Sequence, residues 1–234
     1  MRRTEFLTTV PVIALAFGAL PGTAAALPEH GRAGMWVRYV MGFGVPFQKQ
    51  VGFGMESTPI ATRAFIETQV GLPGGTCNAN TARKAYIRAD HFGGLLTVYP
   101  VVAYVTGSGS LLLLEQNQPP PLRLLDSPHL YPRSAQPVAS TDAPVMIPVG
   151  PSRFTENAIP TEKHTTSATH DRLPVDGKPL TRFEIWRTPS VPLGVARVRA
   201  TMHDMPPFEL AIDSYGFGYR PEITESLDAA RAMN

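Results

Sequence analysis

The sequence predicts a mainly β protein. The expected form is one strongly twisted and curled antiparallel sheet of eight to ten strands with few helices, one of them C-terminal. Three observations carry this. Short runs alternate apolar and polar residues, with Val, Ile, Tyr, Phe and Trp well represented. Gly, Pro, Asn and Ser clusters separate the runs at hairpin-like spacings. Many of the 24 prolines fall between 119 and 192, where they disfavour helix and favour loops and short edge strands.

In chain order, LPEHGRAG (27–34) reads as a loose leader. MWVRYVMG (35–42) alternates and is the first strand; KQVGFGM (49–55) and ATRAFIETQV (61–70) are the next two, with ESTP as a turn between them. LPGGTCNANT (72–81) is a loop by composition, and ARKAYIRAD (82–90) is helix or strand, with Tyr86 and Ile87 favouring strand. Residues 93–116 are the most apolar part of the chain. They read as two strands joined by GSGS, with Pro100 marking an edge position or a break. Residues 126–179 are the least regular, with strands expected at VMIPV and near KHTTSATH. TRFEIWRT (181–188), GVARVRATM (194–202) and FELAIDSYGFG (208–218) are strands. In ITESLDAARAMN, Thr224 can cap a helix whose Leu227 and Ala230 share a face; the alternative is a frayed tail.

The stretch TPSVPLG, between two of these strands, invites a choice between a catalytic loop and a corner. Pro189 and Pro192 fix φ and remove donors, so the ladder cannot continue there. Gly194 permits a positive φ as the chain re-enters the sheet. No nucleophile with a base accompanies it, so a corner is expected.

Length, charge and cysteine content narrow the function. The 234 residues suit a signal segment, 1–26, followed by a single β-rich domain, 27–234, with an irregular proline-rich region at about 119–192. Arg2 and Arg3 form a positive start, LTTVPVIALAFGAL (7–20) an apolar stretch too short to span a bilayer well, and Ala24 and Ala26 a cleavage site before Leu27. Export to the periplasm or the exterior is therefore expected. Cleavage would leave 19 basic and 18 acidic side chains, a net charge of +1, which gives no basic patch for nucleic acid. No later run is apolar and long enough for a transmembrane helix. Cys77 is the only cysteine, so no internal disulfide forms; it is expected to be a buried small apolar residue or to pair between chains.

Several pieces resemble exported bacterial β-domain proteins of unknown function that are similar to the periplasmic lipoprotein-carrier and lipoprotein-sorting group. They are the opening Gly34, Trp36, Val37, Arg38 and Tyr39; FIETQVG; the proline-bearing LLEQNQPPPLRL; Trp186 with VPLGV (191–195) and Val198; and Glu209, Leu210, Tyr215 and Gly216. IPVGPSRF (147–154) is the nearest counterpart of the group's central strand start. The resemblance implies a curved antiparallel sheet, half-barrel-like, wrapped on one or more helices and enclosing an apolar concavity that takes acyl chains or other apolar ligands. Trp36, Phe53, Phe65, Tyr104 and Trp186 are the candidates to line it; the alternative is that they are ordinary core.

Chemistry-bearing constellations are sparse. His164 and His170 with Asp171 form HTTSATHD. On one strand the histidines would stand roughly 20 Å apart, too far for one metal, whereas a loop could gather them with Glu162 or Asp171. His30, His91, His129 and His203 with Asp204 have no ligand spacing. GSGS lacks the helix a nucleophile elbow needs, and no phosphate-binding fingerprint or paired carboxylates occur. No catalytic residue, metal or cofactor is therefore expected. The leading expectation is a non-catalytic, carrier-like envelope protein that binds an apolar ligand or a lipid-modified partner. The other is a structural or protein-interaction module of the envelope.

Overall fold

The structure, a computed structural model, describes residues 31–88, 92–107, 111–112, 120–125, 136–140, 144–150, 158–169, 180–201 and 206–233. The expected signal segment, 1–26, the expected GSGS turn beyond Gly107, and His30, His91, His129, His170, Asp171, His203 and Asp204 lie outside them.

The protein is mainly β, with one 12-stranded antiparallel sheet and one short helix at the C-terminus. The sheet contains β1 (Met35–Phe43), β2 (Phe47–Ser57), β3 (Thr62–Gly71), β4 (Cys77–Ile87), β6 (Val101–Thr106) and β7 (Leu111–Leu112) from the first half of the chain. From the second half come β9 (Gln136–Ser140), β10 (Val145–Pro148), β11 (Ala158–Thr169), β12 (Leu180–Arg187), β13 (Val195–Thr201) and β14 (Phe208–Phe217). The order is β10-β11-β12-β13-β14-β1-β2-β3-β4-β6-β7, and β9 pairs β11 beyond β10. Most neighbours are consecutive; β4 pairs β6 and β9 pairs β11, and at the centre the last strand pairs with the first. Among the described residues nothing joins β7 to β9 or β10, so the sheet is not closed into a barrel. The pair β5 (Val98–Tyr99) and β8 (Leu122–Arg123) forms a separate two-stranded sheet.

Alternation assigns the two faces. In β1, Met35, Val37, Tyr39 and Met41 are buried and point to the inner face. Opposite residues share a face, so Val51, Phe53, Ile66, Leu210 and Val198 join them. Phe92, Leu95, Tyr99, Leu124 and Leu125 fill this concavity from the loops and from beside the β5–β8 pair. On the outer face Phe65, Ala82, Tyr86, Ala103 and Val105 receive Ile223, Leu227 and Ala230 of the C-terminal segment. The helix α1 (Leu227–Met233) is thus docked through the face that sequence assigns it. Glycines make room for this. Tyr219 lies over Gly52, where a Cβ would fall 2.0 Å from its ring.

The TPSVPLG stretch is a corner between two strands. A single 3-10 turn, Pro192–Gly194, joins β12 to β13. Leu193 takes φ +70° and Gly194 φ +67°. The left-handed conformation costs a leucine roughly 1–2 kcal/mol. Its buried side chain offsets this, since full burial contributes roughly 1.5–3 kcal/mol. Three further contacts hold the turn: Leu95 N–H donates to the Leu193 carbonyl (3.2 Å), Thr188 N–H to Gly194 (3.2 Å), and the Tyr39 hydroxyl to Val195 (2.8 Å).

Three regions differ from the sequence expectation. β4 begins at Cys77, so CNANT is strand rather than loop. The Thr81 hydroxyl accepts from Val70 N–H (2.8 Å) and sits 3.0 Å from the Val70 carbonyl, carrying the pairing past a bulge. Residues 93–97 are not strand; Pro100 breaks the run into β5 and β6. The strand expected near KHTTSATH is present as β11 but begins earlier, at Ala158, and runs twelve residues, because β12 on one side and β9 and β10 on the other satisfy its backbone.

Candidate functional site

The five candidate aromatics do not share one concavity. Phe53 is on the inner face, fully buried, with its ring 5.1 Å from Phe92 in edge geometry. Tyr104 is also on the inner face, opposite Ala85. Phe65 lies on the outer face beneath the C-terminal helix, with Lys84 Nζ 4.4 Å from its ring centroid. Trp36 is on the outer face and only half-buried; its Nε1–H donates to the Phe217 carbonyl (3.3 Å). Trp186 pairs with Lys163 and Arg197, and both cations lie 5.1 Å from its ring.

Two sites do assemble. The first is on the outer face, where three carboxylates hold the C-terminal segment. Glu67, fully buried in β3, accepts from the Tyr219 hydroxyl (2.6 Å), from Glu222 and Ile223 N–H (2.9 and 3.1 Å), and from Gln69 (3.2 Å). Glu56 accepts from Lys84 Nζ (2.8 Å), the Tyr86 hydroxyl (2.6 Å) and Leu227 N–H (3.0 Å). Burial works against its ionisation, but the Lys84 and Tyr86 hydrogen bonds and the Leu227 amide outweigh it and hold the carboxyl below its usual range. The Tyr86 hydroxyl is correspondingly pushed far up, by burial and by Glu56. Asp228 accepts from Thr58 (2.8 Å) and Arg63 (3.1 Å). Glu67 and Glu56 reach from the sheet to donors of the tail, and Asp228 reaches from the tail back to Thr58 and Arg63, so the three carboxylates act as a latch between sheet and tail.

The second is a cleft of about 900 Å³ at one end of the inner face. Register builds its floor. Lys49 stands opposite Val70, Thr68 opposite Arg83, and Arg83 opposite Thr106, so the band crosses β2, β3, β4 and β6. The segment 120–125 forms the wall, tied down by the Tyr104 hydroxyl donating to the Pro120 carbonyl (2.8 Å). Burial raises the Tyr104 hydroxyl pKa, and Arg83 opposes the rise. Val70, Leu122, Leu125 and two prolines make much of the lining apolar, and Lys49, Arg83 and Arg123 are its charged members. Of the predicted residues, only Tyr104 borders it. The cations were not singled out by sequence; their alternate positions in β2 and β4 are the one signal, visible only once the register is known.

A smaller cleft, about 550 Å³, lies beside the corner, lined by Glu162, His164, Arg187 and Ser190 among others. His164 Nε2 is 3.6 Å from Glu162. Among the described residues no three His, Cys, Asp or Glu side chains gather as metal ligands. Cys77 is half-buried and free, with Gln48 Nε2 3.8 Å from its sulfur. No described helix is long and apolar enough to cross a membrane. No family model, curated protein or solved structure matches the chain.

Proposed function

We propose that this is an exported, non-catalytic, carrier-like protein of the cell envelope, periplasmic or secreted, that binds an apolar ligand or a lipid-modified partner. The observation that carries the reading is the inner-face cleft. Its size falls in the range of small-molecule sites, its walls are largely apolar, and it opens at the end of a curved sheet whose middle is already filled. The export part rests on Arg2, Arg3, the apolar run 7–20 and the small residues Ala24 and Ala26. The sequence resemblance to the lipoprotein-carrier group points the same way.

Native mass spectrometry of the purified protein, followed by organic extraction, tests the reading. A co-purifying acyl species, lost in Leu122→Asp while circular dichroism stays unchanged, is the expected result. A clean apo mass that persists after incubation with lipids overturns it. The second reading, a protein-interaction module, is favoured by one observation. Among the described residues β7 at one end of the sheet and β9 and β10 at the other each pair on one side only, and such edges accept a further strand.

A further inference from the structure

We propose that the inner-face cleft selects an amphiphile with one apolar chain and an anionic head group, carboxylate or phosphate. This rests on the apolar-ligand reading above and adds the head group to it. The argument is the charge of the lining. Lys49, Arg83 and Arg123 border the cleft, and among the described residues no Asp or Glu does.

The placement of the cations separates the two ends of such a ligand. Lys49, on β2, is 3 % exposed and lies buried at the floor. Arg83, on β4, and Arg123, on β8, are exposed and stand on the floor and the wall. Leu122 and Leu125 flank Arg123 within the wall, and Val70 lies beside Lys49 across the β2–β3 ladder. An acyl chain therefore meets Leu122, Leu125, Val70 and the prolines, while an anion meets guanidinium groups that present several N–H donors in a fork. Tyr104 holds the wall to the floor through Pro120 and so fixes the distance between the two arginines' strands.

The test is isothermal titration of the purified protein with palmitate, hexadecyl phosphate and methyl palmitate, each below its critical micelle concentration. Palmitate and hexadecyl phosphate are expected to bind at least about tenfold more tightly than the ester, since charge-assisted hydrogen bonds are roughly twice as strong as neutral ones. Arg83→Gln, at an exposed position, is expected to cut that difference at least about threefold. Lys49→Met is the second variant, with circular dichroism to confirm the fold. The ratio of palmitate to hexadecyl phosphate affinity identifies the head group. Equal binding of acid and ester, unmoved by Arg83→Gln, overturns the head-group inference and leaves the apolar-ligand reading standing. No binding of any of the three overturns both.

Discussion

The hydroxyl of Tyr219 donates a 2.6 Å hydrogen bond to the carboxylate of Glu67, across 152 positions of sequence. Glu67 sits in the middle of β3 and is fully buried. A buried carboxylate without donors is costly, so the tail that supplies three of its four hydrogen bonds belongs to the folded core. Tyr219→Phe is therefore expected to destabilise the protein by about 1–3 kcal/mol, the cost of leaving a buried acceptor short of a donor. Urea denaturation checks it; an unchanged midpoint would show that the bond contributes nothing.

The latch should open in acid. The Glu56 carboxyl is held below its ordinary range when folded, so its contribution is complete above the unfolded value of about 4.3 and is lost as pH falls through the lower folded value. Asp228, held down first by the Thr58 hydroxyl and then by Arg63, moves in the same direction. The protection of the Leu227 and Ala230 amides, relative to their intrinsic exchange, should fall below about pH 4, before that of the β1–β2 amides. In Glu56→Gln the tail should exchange faster at neutral pH, with a flatter acid dependence.

The corner should depend on one hydroxyl. Tyr39 is buried, and burial pushes its hydroxyl pKa far up, so it stays a donor to the Val195 carbonyl. Tyr39→Phe keeps the ring and removes the donor. A loss of about 1–3 kcal/mol is expected, together with faster exchange of the Gly194 amide. If exchange there is unaltered, Leu193 and the prolines hold the turn unaided.

Two tryptophans give an optical readout of the two environments. Trp186 is 7 % exposed between two cations, whereas Trp36 is half-exposed over Gly216. Trp36→Phe should leave a protein with blue-shifted emission that acrylamide quenches weakly. Trp186→Phe should leave the opposite. Equal quenching of the two variants would contradict the packing.

The strands that sequence makes legible are those with one wet face. In β1 the alternation of Met35, Val37, Tyr39 and Met41 with Trp36, Arg38 and Val40 is the burial pattern itself. β11 carries no such pattern. Sequence marks a strand only near KHTTSATH; the earlier part, Ala158 to Thr161, is strand because β10 pairs with it, which is information held elsewhere in the chain. The start of β4 is hidden for the same reason, since Asn78 to Thr81 are exposed strand residues with turn-forming composition. The aromatics were visible but not their faces. Trp36 and Val37 are adjacent and point to opposite sides, so a shift of one residue in the expected register reverses the assignment. The cleft was least legible, because Lys49, Arg83 and Tyr104 become neighbours only through three consecutive strand pairings.

The pairing of β1 with β14 imposes an order on synthesis. Met35 is matched with Phe217, so one side of the first described strand stays bare until almost the whole chain has emerged. Before that, β2, β3 and β4 can form hairpins with their neighbours, but the centre of the sheet cannot be sealed from either side. A ribosome-bound fragment ending short of 208 exposes the edge of β1 to any other nascent strand. Escape from aggregation then depends on how fast the last strand arrives rather than on how stable the first ones are.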